Sequence, residues 1–305
     1  MERPPTVRAV TIPFADLKER DKDLSDKIEE GLGPHGLGII SIAGLCGDCI
    51  PHCDRIFSYL CAEILAPSLF ARIASLPDDV KKQLEDPDSR YNFGWSHGKE
   101  KLESGKLDTF KGSFYANPVF DVPTTDDVLV SRYPSYCRPN IWPTDHLPEL
   151  EIAFKALGKL MLEVGLMLAH HCDRYGLTSG LFTKNSMEIP CPDSAAGLYI
   201  RTCDNRVVKV EFDENQLAYQ IGETTEILSR GYLCATPHCV QAPSSEGSSN
   251  VDRSTFALFM QPDWDEKLEF PSEIPYHQEL IPPNGTLTFG EYSERLVSKY
   301  YQATP

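Results

Sequence analysis

Three segments of this chain carry residue types and spacings that could do chemistry. Residues 220–243, QIGETTEILSRGYLCATPHCVQAP, place His238 near the end of a strand. Residues 251–262, VDRSTFALFMQP, open a strand with Arg253 and Thr255, and residues 138–143, RPNIWP, stand just before a long helix. A single histidine on a strand is usually packed or superficial, and a single arginine is usually solvated. A fourth segment, His171-Cys172-Asp173, has the chelating H-x-D form and lies 67 residues before His238. It sits on the last turn of a helix, where residues i and i+2 point about 200° apart, so the pair cannot grip one ion unless that turn unwinds. The preferred reading is a histidine pair at a helix C-terminus, favoured by the dipole. Cys46, Cys49 and Cys53, with His52, resemble a metal knuckle. A closed zinc site needs four ligands, usually as two knuckles, and no second knuckle follows, so free thiols are expected. There is no glycine-rich phosphate loop and no G-x-S-x-G element, which leaves kinase and α/β-hydrolase readings without support.

These residues need elements to position them. Val10, Ile12 and Phe14 alternate as in a short strand, and Ser25 to Leu32 reads as a helix ended by Gly33. LGIISIAGL, residues 37–45, is an apolar run of strand length. Helices are expected over residues 55–65 and from Asp78 and Asp79, which can cap, to about Leu84. Residues 86–143 are rich in turn formers and aromatics and read as an irregular packed connector, with a substrate-facing loop layer as the alternative. The acid runs at 78–79 and 125–127 read as solvated faces and caps. The clearest helix lies between Pro148 and Tyr175, where Leu150, Phe154, Leu157, Met161, Val164 and Leu168 share one face and form a core stripe. After Gly176 the period changes to that of strands. Leu177–Thr183, Gly197–Thr202, Val207–Phe212, Leu217–Ile221, Glu226–Leu228, Tyr232–Ala235 and Thr255–Met260 are the candidates, with Asp204-Asn205 as a hairpin turn. Residues 292–301 suggest a closing helix.

Taken in order, these features resemble the non-haem iron(II), 2-oxoglutarate-dependent dioxygenases of the isopenicillin-N-synthase-like branch. Residues 8–45 look like that family's N-terminal region, 138–143 like its N-x-W-P element, and the segment ending at His238 like the one carrying the distal metal histidine. Arg253-Ser254-Thr255 is similar to the R-x-[ST] pair that takes the co-substrate's far carboxylate. The resemblance implies an α+β fold. An N-terminal helix and strand region (1–120), a connector and long core helix (121–176) and a jelly roll, or double-stranded β-helix (177–290), would precede a C-terminal helix (291–305). It implies Fe(II) and 2-oxoglutarate as cofactors and oxidation or hydroxylation of a small organic substrate. A facial triad of two histidines and one carboxylate leaves three positions open on iron. The planar arginine fork suits a carboxylate by two parallel hydrogen bonds, and a hydroxyl beside it adds a donor. His238 and Arg253 are then expected on neighbouring strands facing a common interior.

The chain departs from that family at one place. The family's H-x-D belongs between the long helix and Gly197, where this sequence has HHCDRYGLTSGLFTKNSMEIPCPDSAA. Several dozen residues of the family pattern are missing near the Gly176–Leu177 join, so the jelly roll is expected to be incomplete and the oxygenase weak or inactive. His171 and Asp173 are the substitute ligands to be considered. The alternative is a non-catalytic truncated isoform or mis-joined gene product that acts at most as a binding protein.

Composition bounds the rest. With 305 residues, 41% apolar and 24% charged, the chain is of globular type. A net charge of −16 disfavours a nucleic-acid partner. The longest apolar stretch, Leu160 to Ala169, is broken by Glu163 and falls short of the roughly 20 residues a membrane span needs. MERPPTVRAV lacks the apolar core of a secretory signal. Ten cysteines then read as free thiols of a cytoplasmic protein. The substrate itself and the oligomeric state are not written in the sequence.

Overall fold

The computed structural model describes residues 4–45, 69–102, 104–172, 179–184, 187–188, 193–213, 216–243, 252–270, 281 and 285–300. The cysteine cluster at 46–53, the helix expected at 55–65, and Asp173 lie outside them. In chain order the described elements begin with β1 (Thr6–Arg8), β2 (Val10–Pro13), α1 (Phe14–Lys18), α2 (Ser25–Leu32) and β3 (Ile39–Ala43). Next come α3 (Leu69–Ala74), α4 (Asp78–Gln83), β4 (Gly94–His97), β5 (Gly112–Tyr115), α5 (Asp127–Arg132), α6 (Pro134–Cys137) and the long α7 (Pro148–Cys172). Then follow β6 (Ser179–Lys184), β7 (Met187–Glu188), β8 (Gly197–Arg201), β9 (Val207–Glu211), β10 (Leu217–Gln220) and α8 (Glu223–Leu228). The chain closes with β11 (His238–Gln241), β12 (Asp252–Phe256), β13 (Lys267–Glu269), β14 (Thr286–Thr288) and α9 (Phe289–Tyr300).

The described residues fall into two compact units. One draws on stretches 1–68, 160–261 and 270–274, the other on 69–159, 262–269 and 275–305. The first unit holds three sheets, in strand orders β1-β9-β8-β11, β10-β3-β2 and β12-β6-β7. Every pair formed among β6 to β12 is antiparallel. The two parallel pairs, β1 with β9 and β2 with β3, bring in N-terminal strands. Thus β1 joins three strands from the second half of the sequence, and β3 lies between the N-terminal β2 and β10 of the second half, pairings that local periodicity cannot reveal.

Two of these sheets face each other across one core. Ile200 of β8 and Val208 and Val210 of β9 pack with Ile39 of β3, Ala218 of β10 and Ala9. The opposite face of the β10-β3-β2 sheet is covered by helices. A Cβ built on Gly31 of α2 would stand 2.4 Å from Ile40, so that helix lies almost on the strand. On α7, Gly165 serves the same close approach. Its added Cβ would meet Met260 Sδ at 2.5 Å and the Tyr219 ring at 3.0 Å, and the Tyr219 hydroxyl donates to the Met161 carbonyl at 3.0 Å. Leu150, Phe154, Leu157, Met161, Val164 and Leu168 are all buried, as their three-and-four spacing requires.

The second unit contains the β4–β5 hairpin, the β13–β14 pair, and helices that include α9. Residues 86–143 are therefore more structured than the irregular connector expected of them.

Four local expectations are corrected. Residues 226–228 are helical, not strand: Gly222 stands at the N-cap, and Glu223 and Glu226 occupy the first turn near the positive end of the dipole. Residues 232–235 form no strand, because Arg230 (φ 54°) and Gly231 (φ 82°) turn the chain and the Cys234 N–H bonds the Leu32 carbonyl. The strand expected at 255–260 instead spans Asp252–Phe256. Asp78 and Asp79 lie in the first turn of α4, with Pro77 at the cap position and no side-chain cap.

Candidate functional site

The R-x-T segment lies within β12, where side chains alternate between faces. Ser254 and Phe256 form one face and are both buried. Arg253 and Thr255 share the other. Arg253 is exposed, whereas the Thr255 hydroxyl oxygen is buried and has no hydrogen-bond partner among the described residues. Buried hydroxyls are nearly always paired, so this one, beside a guanidinium on the same face, is set to bond something further. A carboxylate is the group that a fork of N–H donors and one hydroxyl would take.

His238 opens β11 and stands directly opposite Ile200 of β8. Opposed residues of an antiparallel pair project from the same face, so the imidazole leaves the sheet on the side of the buried Ile200. Its Nδ1 lies 3.0 Å from the Thr236 carbonyl. A carbonyl only accepts, so Nδ1 is the donor and Nε2 is the nitrogen turned away from this bond, the one a metal-ligating histidine with that partner would use.

His238 and Arg253 were expected on neighbouring strands. They are on strands of different sheets, since β11 pairs with β8 and β12 with β6. The segment between them, residues 244–251, lies outside the described residues. No adjacent register joins the two.

His171 is on the last turn of α7, as its helical spacing required. Its Nε2 donates to the Leu17 carbonyl at 3.0 Å, so the ring is held against the end of α1. Among the described residues no group of three His, Cys, Asp or Glu side chains could hold a metal ion. Asp173, the other member of that segment, lies outside the described residues.

No family model and no curated protein sequence matches the chain. Solved structures do. A full-length Neurospora crassa protein, crystallised with alpha-KG and 5-formyluracil, superposes with a TM-score of 0.56 at 16% identity over 98% of this chain and 100% of that one. A protein from Caulobacter crescentus, described as of the 2OG-Fe(II) oxygenase family, gives 0.58 at 13% identity over 95% and 98%. JOX2, crystallised with 2OG, Fe and JA, gives 0.56 at 13% identity over 99% and 88%. The fold is that of the 2OG-Fe(II) oxygenases.

In this oxygenase fold the N-x-W-P element does architectural work, and the residue it serves, Asp121, had no sequence signal. Asn140 accepts from the Asn117 N–H (2.7 Å) and donates to the Asn117 carbonyl (2.8 Å) and to Asp121 Oδ1 (3.0 Å). Trp142 Nε1 donates to the same Asp121 oxygen at 2.8 Å, and Lys155 of α7 reaches its other oxygen at 2.5 Å. The Lys155, Trp142 and Asn140 donors hold the Asp121 carboxyl down at about 2. The Trp142, Phe114 and Phe154 rings pack at centroid distances of 5.5 to 6.2 Å. Arg138, which opens the element, grips the buried Asp86 carboxylate through Nε (2.9 Å) and Nη2 (3.1 Å). Asp126, from the acid run read as caps, does cap α5 by accepting from the Val128 and Leu129 N–H groups. No described helix is long and apolar enough to cross a membrane.

Proposed function

We propose that this chain is an oxygenase-fold protein that holds 2-oxoglutarate by its far carboxylate at Arg253 and Thr255 and is a weak or inactive oxygenase. One observation carries the reading: a buried hydroxyl without a partner among the described residues, on the same strand face as an arginine two residues away. The neighbours of like fold were crystallised with alpha-KG or 2OG, which supports the choice of co-substrate. Their other bound molecules, 5-formyluracil and JA, support a small organic molecule as this chain's substrate. When iron is bound, an oxygenase of this fold uses it to activate dioxygen. Here the inherited metal position is His238, with Nε2 open to a ligand. The H-x-D carboxylate and second histidine of the family pattern have no counterpart at their usual place in the sequence. Asp173 remains the substitute carboxylate. His171 would have to give up its bond to Leu17 and the helix turn that holds it, at roughly 1 kcal/mol per backbone hydrogen bond, before it could serve. An incomplete double-stranded β-helix, truncated near residue 177, fits the same reading. The test is calorimetric titration of 2-oxoglutarate into the purified chain, with ferrous-iron binding and succinate formation measured alongside. Binding of 2-oxoglutarate with little iron-dependent succinate is expected.

A further inference from the structure

We propose that Gln220 reads the ligand inside the sheet sandwich, its carboxamide nitrogen donating to a carbonyl or carboxylate oxygen of the small molecule held there. The inference deepens the functional reading above and rests on it.

The placement follows from alternation along β10, whose sequence is LAYQ. Tyr219 turns to the helix side, where its hydroxyl meets the Met161 carbonyl. Ala218 turns the other way, into the core it shares with Ile39, Ile200, Val208 and Val210. Gln220, two residues on, shares the face of Ala218. It is only 8% exposed, and its Nε2 is buried with no hydrogen-bond partner among the described residues. A carboxamide nitrogen has two protons to donate, and native interiors rarely strand such a donor. The neighbouring polar residue on this face is not stranded: Ser41 shares a hydrogen bond of 2.7 Å with Thr11. Leucine or methionine would fill the Gln220 position without that cost, so packing alone does not account for the amide nitrogen. The facing sheet supplies a second polar group, because His238 projects on the side of Ile200, a member of the same core. Gln220 thus enters the apolar layer from one sheet, while His238, on the Ile200 side of the other, stands exposed at its rim. Apolar walls with a few directed polar groups are what small-molecule sites are made of. The Gln220 donor selects an acceptor, so the ligand class is a small carbonyl or carboxylate compound.

The experiment uses the full chain and the variants Gln220→Leu and Gln220→Met. Thermal melts are read first. With the stranded amide removed, Tm should rise by about 2 °C or more in at least one variant. The probe is acetamide, which carries one carbonyl acceptor. In 1H–15N spectra the Gln220 side-chain signal, identified by its loss in Gln220→Leu, should shift saturably as acetamide is titrated to high millimolar concentration. A fall in Tm for both variants would show that the amide is already paired in the native fold and would overturn the proposal. So would a Gln220 signal that acetamide leaves in place. Failure of the underlying reading looks different: 2-oxoglutarate would then not bind the unaltered chain at all, whatever acetamide does.

Discussion

Replacing Asp121 by asparagine keeps the shape of the side chain and removes its charge. The structure says what that charge does: it accepts from Lys155 at 2.5 Å, from Trp142 at 2.8 Å and from Asn140 at 3.0 Å. The carboxyl is held at about 2, below its ordinary 3.8. That gap, at 1.36 kcal/mol per unit, sets an upper bound of about 2.5 kcal/mol on its contribution to folding. The side chain is 49% exposed, and solvent screening brings the figure to about 1 kcal/mol. Because the folded-state pKa is depressed, the contribution is fully present above the unfolded value near 4. It is lost as pH falls toward 2. Urea denaturation of the two proteins should therefore differ by about 1 kcal/mol near pH 7, with the difference closing between about pH 4 and 2. High salt should shrink it as well. An Asp121→Asn chain as stable as the parent near neutrality, or a difference that ignores pH across that window, would refute the reasoning.

Met161 is fully buried on α7, so Met161→Ala should cost about 2 to 5 kcal/mol in urea denaturation. Gly165→Ala should destabilise by roughly 1 to 3 kcal/mol despite the better helix propensity of alanine, since Tyr219 is pinned by its bond to Met161 and cannot easily make room. Met260→Ala in the same chain should recover part of that loss, measured as a double-mutant cycle. Burial lifts the Cys137 thiol to about 11. Near neutral pH, mass mapping after brief alkylation should find the exposed Cys203 and Cys239 modified and Cys137 intact until the protein is unfolded.

How much was legible depended on whether the signal was local. The α7 stripe was readable because burial repeats with the helical period, and the β8–β9 hairpin because Asn205 can take the left-handed conformation (φ 63°) that its turn needs. Residues 226–228, expected as a strand, belong to a helix that starts at Glu223, and a window of three residues is too short to show a helical period. Sheet membership was beyond reach: that β3 lies beside β10, and that β11 and β12 pair in different sheets, are facts of long-range pairing. Asp121 gave no sign of itself, since an aspartate among turn formers looks like any surface acid. Gln220 did leave a trace, a lone amide at the end of an otherwise apolar strand.

The most direct test of the functional reading is the affinity of 2-oxoglutarate for the parent chain and for Arg253→Gln, with iron-dependent succinate measured on the same samples. Loss of a charged hydrogen-bonding pair worth about 1.5 to 3 kcal/mol should weaken binding by roughly 10- to 100-fold, with succinate forming slowly or not at all in either protein. Tight stoichiometric iron and brisk turnover in the parent chain, both abolished by His171→Ala, would contradict it and make the His171-Cys172-Asp173 segment a working metal site.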